Sequence, residues 1–201
     1  GVVRVAGDLR ADIQHVSGRT ATLVHDPARP GTQPIIIGTI GRSALIDRLV
    51  SEKKIEAGDV AGQWEAALIQ VVNAPLPGVE RALVIAGSDK RGTIYAVYEL
   101  SEQMGVSPWY WWADVTPEHK DALFVAPVRQ IQRPPSVKYR GIFINDEAPA
   151  LTGWVREKYG EVNGLRGVAN YGRGFYTNVF ELILRLRGNY LWPAMWNNAF
   201  N

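Results

Sequence analysis

The 201-residue chain contains no cysteine. That absence excludes disulfides, thiolate zinc ligation and a cysteine nucleophile together, while suiting an oxidising and a reducing compartment equally. Long apolar runs are missing as well: no window approaches the roughly 18 consecutive apolar residues of a membrane-spanning helix. The opening Gly1-Val2-Val3-Arg4 lacks the basic-then-apolar layout of a signal peptide, so neither an anchor nor an address is expected in these residues. The three histidines, His15, His25 and His119, are isolated from one another and from carboxylate pairs, which gives little support to a metal site or to a Ser-His-Asp arrangement.

Charge of either sign is scarce in excess. A net charge of +2 is too small to point to nucleic acid. Its distribution is uneven, with 12 basic against 15 acidic side chains up to Pro127 and 10 against 5 from Val128 onward. The C-terminal surplus would fit an anionic ligand, but Arg140, Arg156, Arg166, Arg173, Arg185 and Arg187 are scattered and not set in a stripe, so solvated surface charge is the favoured reading.

What is present is enough to build a core. A hydrophobic content of 46% in a chain of this length supports one domain or two small ones. Val5, Leu9, Ile13 and Val16 fall near helical spacing and end at Ser17-Gly18, after which comes a short β-branched run, Thr20 to Val24. Pro34 to Gly38 reads as a strand, and Ser43 can cap a helix striped by Leu45, Ile46, Leu49 and Val50. Ala66 to Val72 and Arg81 to Ala86 read as two more strands, and a helical pattern follows through Ile94, Val97, Tyr98 and Leu100. Together these predict an N-terminal αβ domain with a mixed sheet over residues 1–127.

Ala126-Pro127 and Arg133-Pro134-Pro135-Ser136 mark a linker, because proline disfavours a helix or a central strand on either side. Beyond it the pattern reads as a strand from Lys138 to Ile144, a glycine-containing loop from Gly153 to Gly174, a helix from Phe175 to Arg187 stopped by Gly188, and a strand from Tyr190. Strand-helix-strand in that order requires a parallel pair with a right-handed crossover. Residues 128–201 therefore open a parallel α/β fold, where ligands gather at the carboxyl ends of the strands. Both ends carry unusual chemistry: Asn145-Asp146-Glu147 after the first strand, and Trp192, Trp196, Asn197 and Asn198 after the second.

Asp146 and Glu147 are candidate catalytic carboxylates, yet as neighbours in extended chain they point to opposite sides, so one is expected to face a pocket and the other to be structural. Glu147 is favoured for the site. Glycoside hydrolysis needs two carboxyl groups about 5 Å or roughly 6.5 to 9.5 Å apart, and adjacent residues rarely meet that, so at least one acid should come from another strand. Trp154, Trp192 and Trp196 can stack on sugar rings, with core packing as the competing reading. The aromatic cluster Trp109-Tyr110-Trp111-Trp112 reads first as a staple between domains and second as a sugar-stacking surface. Gly87-Ser88-Asp89-Lys90-Arg91-Gly92 lacks the ending and spacing of a phosphate loop.

Four blocks of residues, Gly87 to Tyr95, Gly105 to Val115, Lys138 to Leu151 and Asn189 to Trp196, together resemble glycoside hydrolase family 115 over about half the chain. The resemblance implies a xylan α-1,2-glucuronidase that releases glucuronic or 4-O-methylglucuronic acid with inversion. It also implies a (β/α)8 catalytic barrel after the αβ domain, of which this chain would hold the first βαβ unit and no more. It matches Glu147 and Trp154 to pocket positions and puts Asn201 at the edge of a pocket loop. Asn145, Glu147, Trp154, Trp192, Trp196 and Asn201 are thus the expected substrate-binding residues, with the main acid and base beyond Asn201 and no metal or cofactor. A barrel cannot close on two strands, so the 201 residues alone are expected to be inactive. Further expectations are a xylan or glucuronoxylan oligosaccharide as substrate, no nucleic-acid or membrane partner, a homodimer formed through domains outside these residues, and a secreted or periplasmic location. Two other classes stay open: a non-catalytic carbohydrate-binding module built on the tryptophans, and a structural interaction domain.

Overall fold

A computed structural model describes residues 1–25, 30–127 and 129–196. The chain divides into two compact units, Gly1–Ser136 and Val137–Asn201. Among the described residues, no helix is long and apolar enough to cross a membrane.

The first unit runs α1 (Val2–Ser17), β1 (Ile35–Thr39), α2 (Ala44–Ser51), β2 (Ala67–Asn73), β3 (Arg81–Gly87), α3 (Lys90–Met104) and β4 (Arg129–Gln132). Its sheet has the order β1-β3-β2-β4, with β1 parallel to β3 and β2 antiparallel to both its neighbours. The mixed sheet read from the sequence is therefore present. Alternation decides its two faces: Leu68, Val72, Ala82 and Val84 turn toward Ile46 and Leu49 of α2. The odd positions face α3, where Gln130, opposite Ile69 in the register, accepts from the Gln103 amide at 3.1 Å. Helix α3 is buried on most sides, since Ile94, Tyr95, Val97, Tyr98 and Leu100 pack between the sheet and α1.

Two local readings change. Residues 20–24 form no strand, and β1 and β4 are the edges of the sheet. Residues 129–132, expected within the linker, pair with β2 as an edge strand, a position that tolerates the prolines following it. As expected, the segment Gly87 to Gly92 leads from the end of β3 directly into α3. Asp89 is the N-cap, its Oδ1 accepting from the Gly92 N–H at 2.7 Å and its Oδ2 from the Glu65 N–H at 2.9 Å.

The second unit runs β5 (Gly141–Phe143), α4 (Ala150–Tyr159), α5 (Arg173–Arg185) and β6 (Tyr190–Trp192). Strands β5 and β6 pair in parallel, Gly141 with Tyr190, Ile142 with Leu191 and Phe143 with Trp192. Gly141 has to be a glycine: a Cβ there would stand 1.9 Å from the Tyr190 carbonyl oxygen. The core is built on Phe175, fully buried, with the rings of Tyr159, Tyr171 and Tyr176 all edge-on to it at centroid separations of 6.0, 4.8 and 5.1 Å. Helix α4 occupies the first part of the segment read as a glycine-containing loop. Helix α5 ends two residues before the expected Arg187, and the Gly188 N–H returns to the Ile183 carbonyl at 2.6 Å.

Candidate functional site

The parallel pair β5–β6 sets the geometry of the second unit, and its register is fixed at the amino ends of the strands. The Arg140 N–H donates to Asn189 Oδ1 at 3.0 Å, and the Asn189 and Tyr190 N–H groups donate to the Arg140 carbonyl at 2.7 and 3.0 Å. The Arg140 guanidinium adds bonds to the carbonyls of Val137, Lys138 and Arg187.

From there the residues alternate. Ile142 and Leu191 are half-buried and Ile144 is buried, whereas Phe143, Asn145 and Glu147 are exposed along with Tyr190 and Trp192. One face of the pair is thus open, and it is aromatic. Phe143 and Trp192 meet edge-on at 5.5 Å, and Tyr139 and Tyr190 at 6.4 Å.

Asp146 takes the opposite direction. It is 4% exposed, and its Oδ1 accepts the Met195 N–H at 3.3 Å. Its backbone carbonyl accepts the Thr152 hydroxyl, which is also within 3.0 Å of the Tyr171 hydroxyl. The Tyr176 hydroxyl accepts the Ala194 N–H at 3.1 Å. Burial pushes the Tyr171 and Tyr176 hydroxyls above the ordinary tyrosine pKa, and the nearby Asp146 charge adds to both shifts. Tyr159 is raised too, by burial, against a hydrogen bond from Asn178 that lowers it.

The candidate residues therefore fall into different surroundings. Asn145 and Glu147 are exposed at the carboxyl end of β5, and Trp192 is half exposed at the end of β6, with its indole N–H donating to Met195 Sδ at 2.9 Å. Trp196 is 63% exposed. Trp154 is half-buried on α4 and packs edge-on to Tyr159 at 6.2 Å. Asn197, Asn198 and Asn201 lie outside the described residues. Asp146 and Glu147 diverge, so the open face carries one carboxylate of the two. Thr152, Tyr171 and Tyr176, which organise the buried side, were not singled out in the sequence. Their only signal there is a set of polar-tipped side chains at the edge of an apolar helix pattern.

In the first unit, Trp111 and Trp112 meet edge-on at 5.0 Å, Tyr110 lies 6.5 Å from the His15 ring of α1, and Trp109 is 45% exposed. An open depression of about 470 Å³ is lined by Arg48, Lys54, Leu76 and Glu80 among others. Both of its cations already engage Glu52, at 2.6 and 3.0 Å, and it holds none of the candidate residues. Among the described residues there is no group of three or more His, Cys, Asp or Glu side chains able to hold a metal ion.

An exposed carboxylate and amide beside a row of aromatic faces suit a hydroxyl-rich ring ligand. Comparison with known proteins bears on its nature. Residues 132–201 match the model of Glycosyl hydrolase family 115. A similar solved structure is described as that of a family GH115 4-O-methyl-alpha-glucuronidase with specificity for decorated arabinogalactans. It aligns at a TM-score of 0.78 and 39% sequence identity, over 96% of this chain and 23% of that one. The chain thus spans less than a quarter of the length of that relative. No curated protein matches the chain.

Proposed function

Because the chain belongs to glycoside hydrolase family 115, we propose that it is part of an enzyme that removes glucuronic acid or its 4-O-methyl derivative from a plant polysaccharide. The observation that carries this reading is the likeness over 96% of the chain to a 4-O-methyl-alpha-glucuronidase. On this reading, the first unit, whose sheet includes β4, is an N-terminal αβ domain and the second unit opens a (β/α)8 barrel. Strands β5 and β6 are its first two strands, and their open face is turned to the barrel interior. The parallel pairing of β5 with β6 across α4 and α5 is in keeping with such a unit.

Asn145 and Glu147 then stand at the carboxyl mouth, where barrel enzymes keep their chemistry. Glu147 contributes a substrate-binding or supporting carboxylate. Inversion at the anomeric carbon needs an acid and a base roughly 6.5 to 9.5 Å apart on opposite sides of the sugar. Asp146 is turned away, so the acid–base pair draws on later strands of the full-length protein. Trp192 and Trp196 supply ring faces for the polysaccharide, Trp154 acts from α4, and Asn201 belongs to the pocket edge. The substrate is α-1,2-glucuronosylated xylan, and a polysaccharide substrate places the enzyme outside the cytoplasm, secreted or periplasmic.

A second reading of the substrate has its own support: the similar glucuronidase is described as specific for decorated arabinogalactans. The full-length protein, assayed on glucuronoxylan and on glucuronic-acid-decorated arabinogalactan, is expected to release uronic acid from one of them. Glu147→Gln should weaken that release, and the 201-residue chain alone should release none. A full-length protein that binds either polysaccharide without hydrolysing it would replace the proposal with a binding function.

A further inference from the structure

Two consecutive backbone amides after β6 are held from two different elements. The Ala194 N–H donates to the hydroxyl of Tyr176, in the first turn of α5, at 3.1 Å. The Met195 N–H donates to Asp146 Oδ1, in the segment after β5, at 3.3 Å. Ala194 and Asp146 are both buried, at 2% and 4% exposed, where an amide left without an acceptor would lose its hydration with nothing in exchange. Met195 then passes the constraint outward. Its sulfur accepts the Trp192 indole N–H at 2.9 Å, and that indole stands edge-on to Phe143 on the open face.

We propose that Asp146 and Tyr176 are positioning residues, a two-point clamp that fixes the backbone at 194–195 and, through Met195, the orientation of the Trp192 ring against which a pyranose unit of the substrate stacks. The substrate part of this inference rests on the glucuronidase reading above. Asp146 acts as an oxygen acceptor facing the helices and does not touch the sugar. An asparagine can replace it in that role, as it could not replace a proton-transferring acid or base.

The test uses the full-length protein with Asp146→Asn, Asp146→Ala, Tyr176→Phe and Met195→Leu. Asp146→Ala, Tyr176→Phe and Met195→Leu should each raise KM by about tenfold while leaving kcat within about threefold, and Asp146→Asn should stay close to wild type. A loss of kcat in Asp146→Asn, or an unchanged KM in both Tyr176→Phe and Asp146→Ala, overturns the proposal. Tyr176→Phe keeps the ring and its packing, so it remains informative if Asp146→Ala fails to fold. Peptide-resolved hydrogen exchange over residues 190–196 gives a readout independent of turnover. Exchange should speed up about tenfold in Tyr176→Phe, and unchanged exchange refutes the clamp. If the wild-type protein releases no uronic acid, the glucuronidase reading fails, while the exchange result still decides the clamp.

Discussion

Replacing Gly92 with alanine sets local preference against packing. Gly92 is the third residue of α3, where alanine is favoured over glycine by about 1 kcal/mol. The surroundings oppose the change. A Cβ at this position meets the Ala66 carbonyl oxygen at 2.1 Å and the Ala66 carbonyl carbon and nitrogen at 3.0 and 3.1 Å. All three are backbone atoms at the entrance to β2, and they cannot rotate away as a side chain would. The same carbonyl accepts the Ser88 N–H at 2.9 Å and faces the Ser88 hydroxyl at 3.0 Å, while the Glu65 N–H next to it is tied to Asp89. Forcing the methyl group in costs about 1–3 kcal/mol as overpacking, and each backbone bond stretched by the retreat of Ala66 costs about 1 kcal/mol more. Against the gain from propensity, the net effect is a destabilisation of about 2 kcal/mol. Urea unfolding of the chain followed by circular dichroism reads this as a lower midpoint at an unchanged slope. A midpoint at or above that of wild type would refute the reasoning, since helix propensity would then outweigh the contact with Ala66.

Other outcomes follow from the same contacts. Asp89→Ala removes the acceptor for two backbone N–H groups and should lower stability by about 1–3 kcal/mol, whereas Asp89→Asn should retain most of it; equal losses in thermal melts would contradict the capping role. Gly141→Ala puts a methyl group onto the Tyr190 carbonyl and should break the β5–β6 pair, read as rapid exchange of the Ile144 N–H that now donates to Trp192 O at 2.8 Å. Tyr159, Tyr171 and Tyr176 all have pKa values raised chiefly by burial. Their contribution to stability is complete below about pH 10, the ordinary tyrosine value, and is lost as the pH rises through the higher folded values. Ultraviolet titration should show a late tyrosinate fraction coinciding with alkaline unfolding, and Tyr171→Phe should shrink it. A single transition at the ordinary value would exclude the effect.

Elements with their own local logic were legible in the sequence. Helix α1 was visible in Val5, Leu9 and Val16, α2 in Ser43 and its apolar stripe, and the parallel β5–β6 pair in the order strand, helix, strand. Helix α4 escaped because Gly153 interrupts it, glycines 160, 164 and 167 follow it, and Val155 is its single buried residue, so no stripe stands out. Strand β4 escaped because flanking prolines read as linker, although an edge position accepts them. The helical pattern of α3 was visible, but not the purpose of Gly92, a close approach to a strand distant in sequence. For the site, alternation alone foretold that Asp146 and Glu147 would part company. What it did not identify was the binding partner of the buried one, because the Met195 amide and the Thr152 hydroxyl reach Asp146 only through the folding of α4 and α5 between the strands.

The bonds between Arg140 and Asn189 sit at the end of the β5–β6 pair remote from Glu147, yet they determine which carboxylate serves the open face. Side chains alternate with a period of two, so a slip of one residue between the strands would exchange every inward and outward position. Asn145, Asp146 and Glu147 inherit their directions from this anchor. Loops at the carboxyl end can therefore vary in length and composition without disturbing which way these three residues point, provided that the Arg140 carbonyl keeps its two donors. On the glucuronidase reading, changes of specificity and preservation of the scaffold would fall to opposite ends of the same two strands.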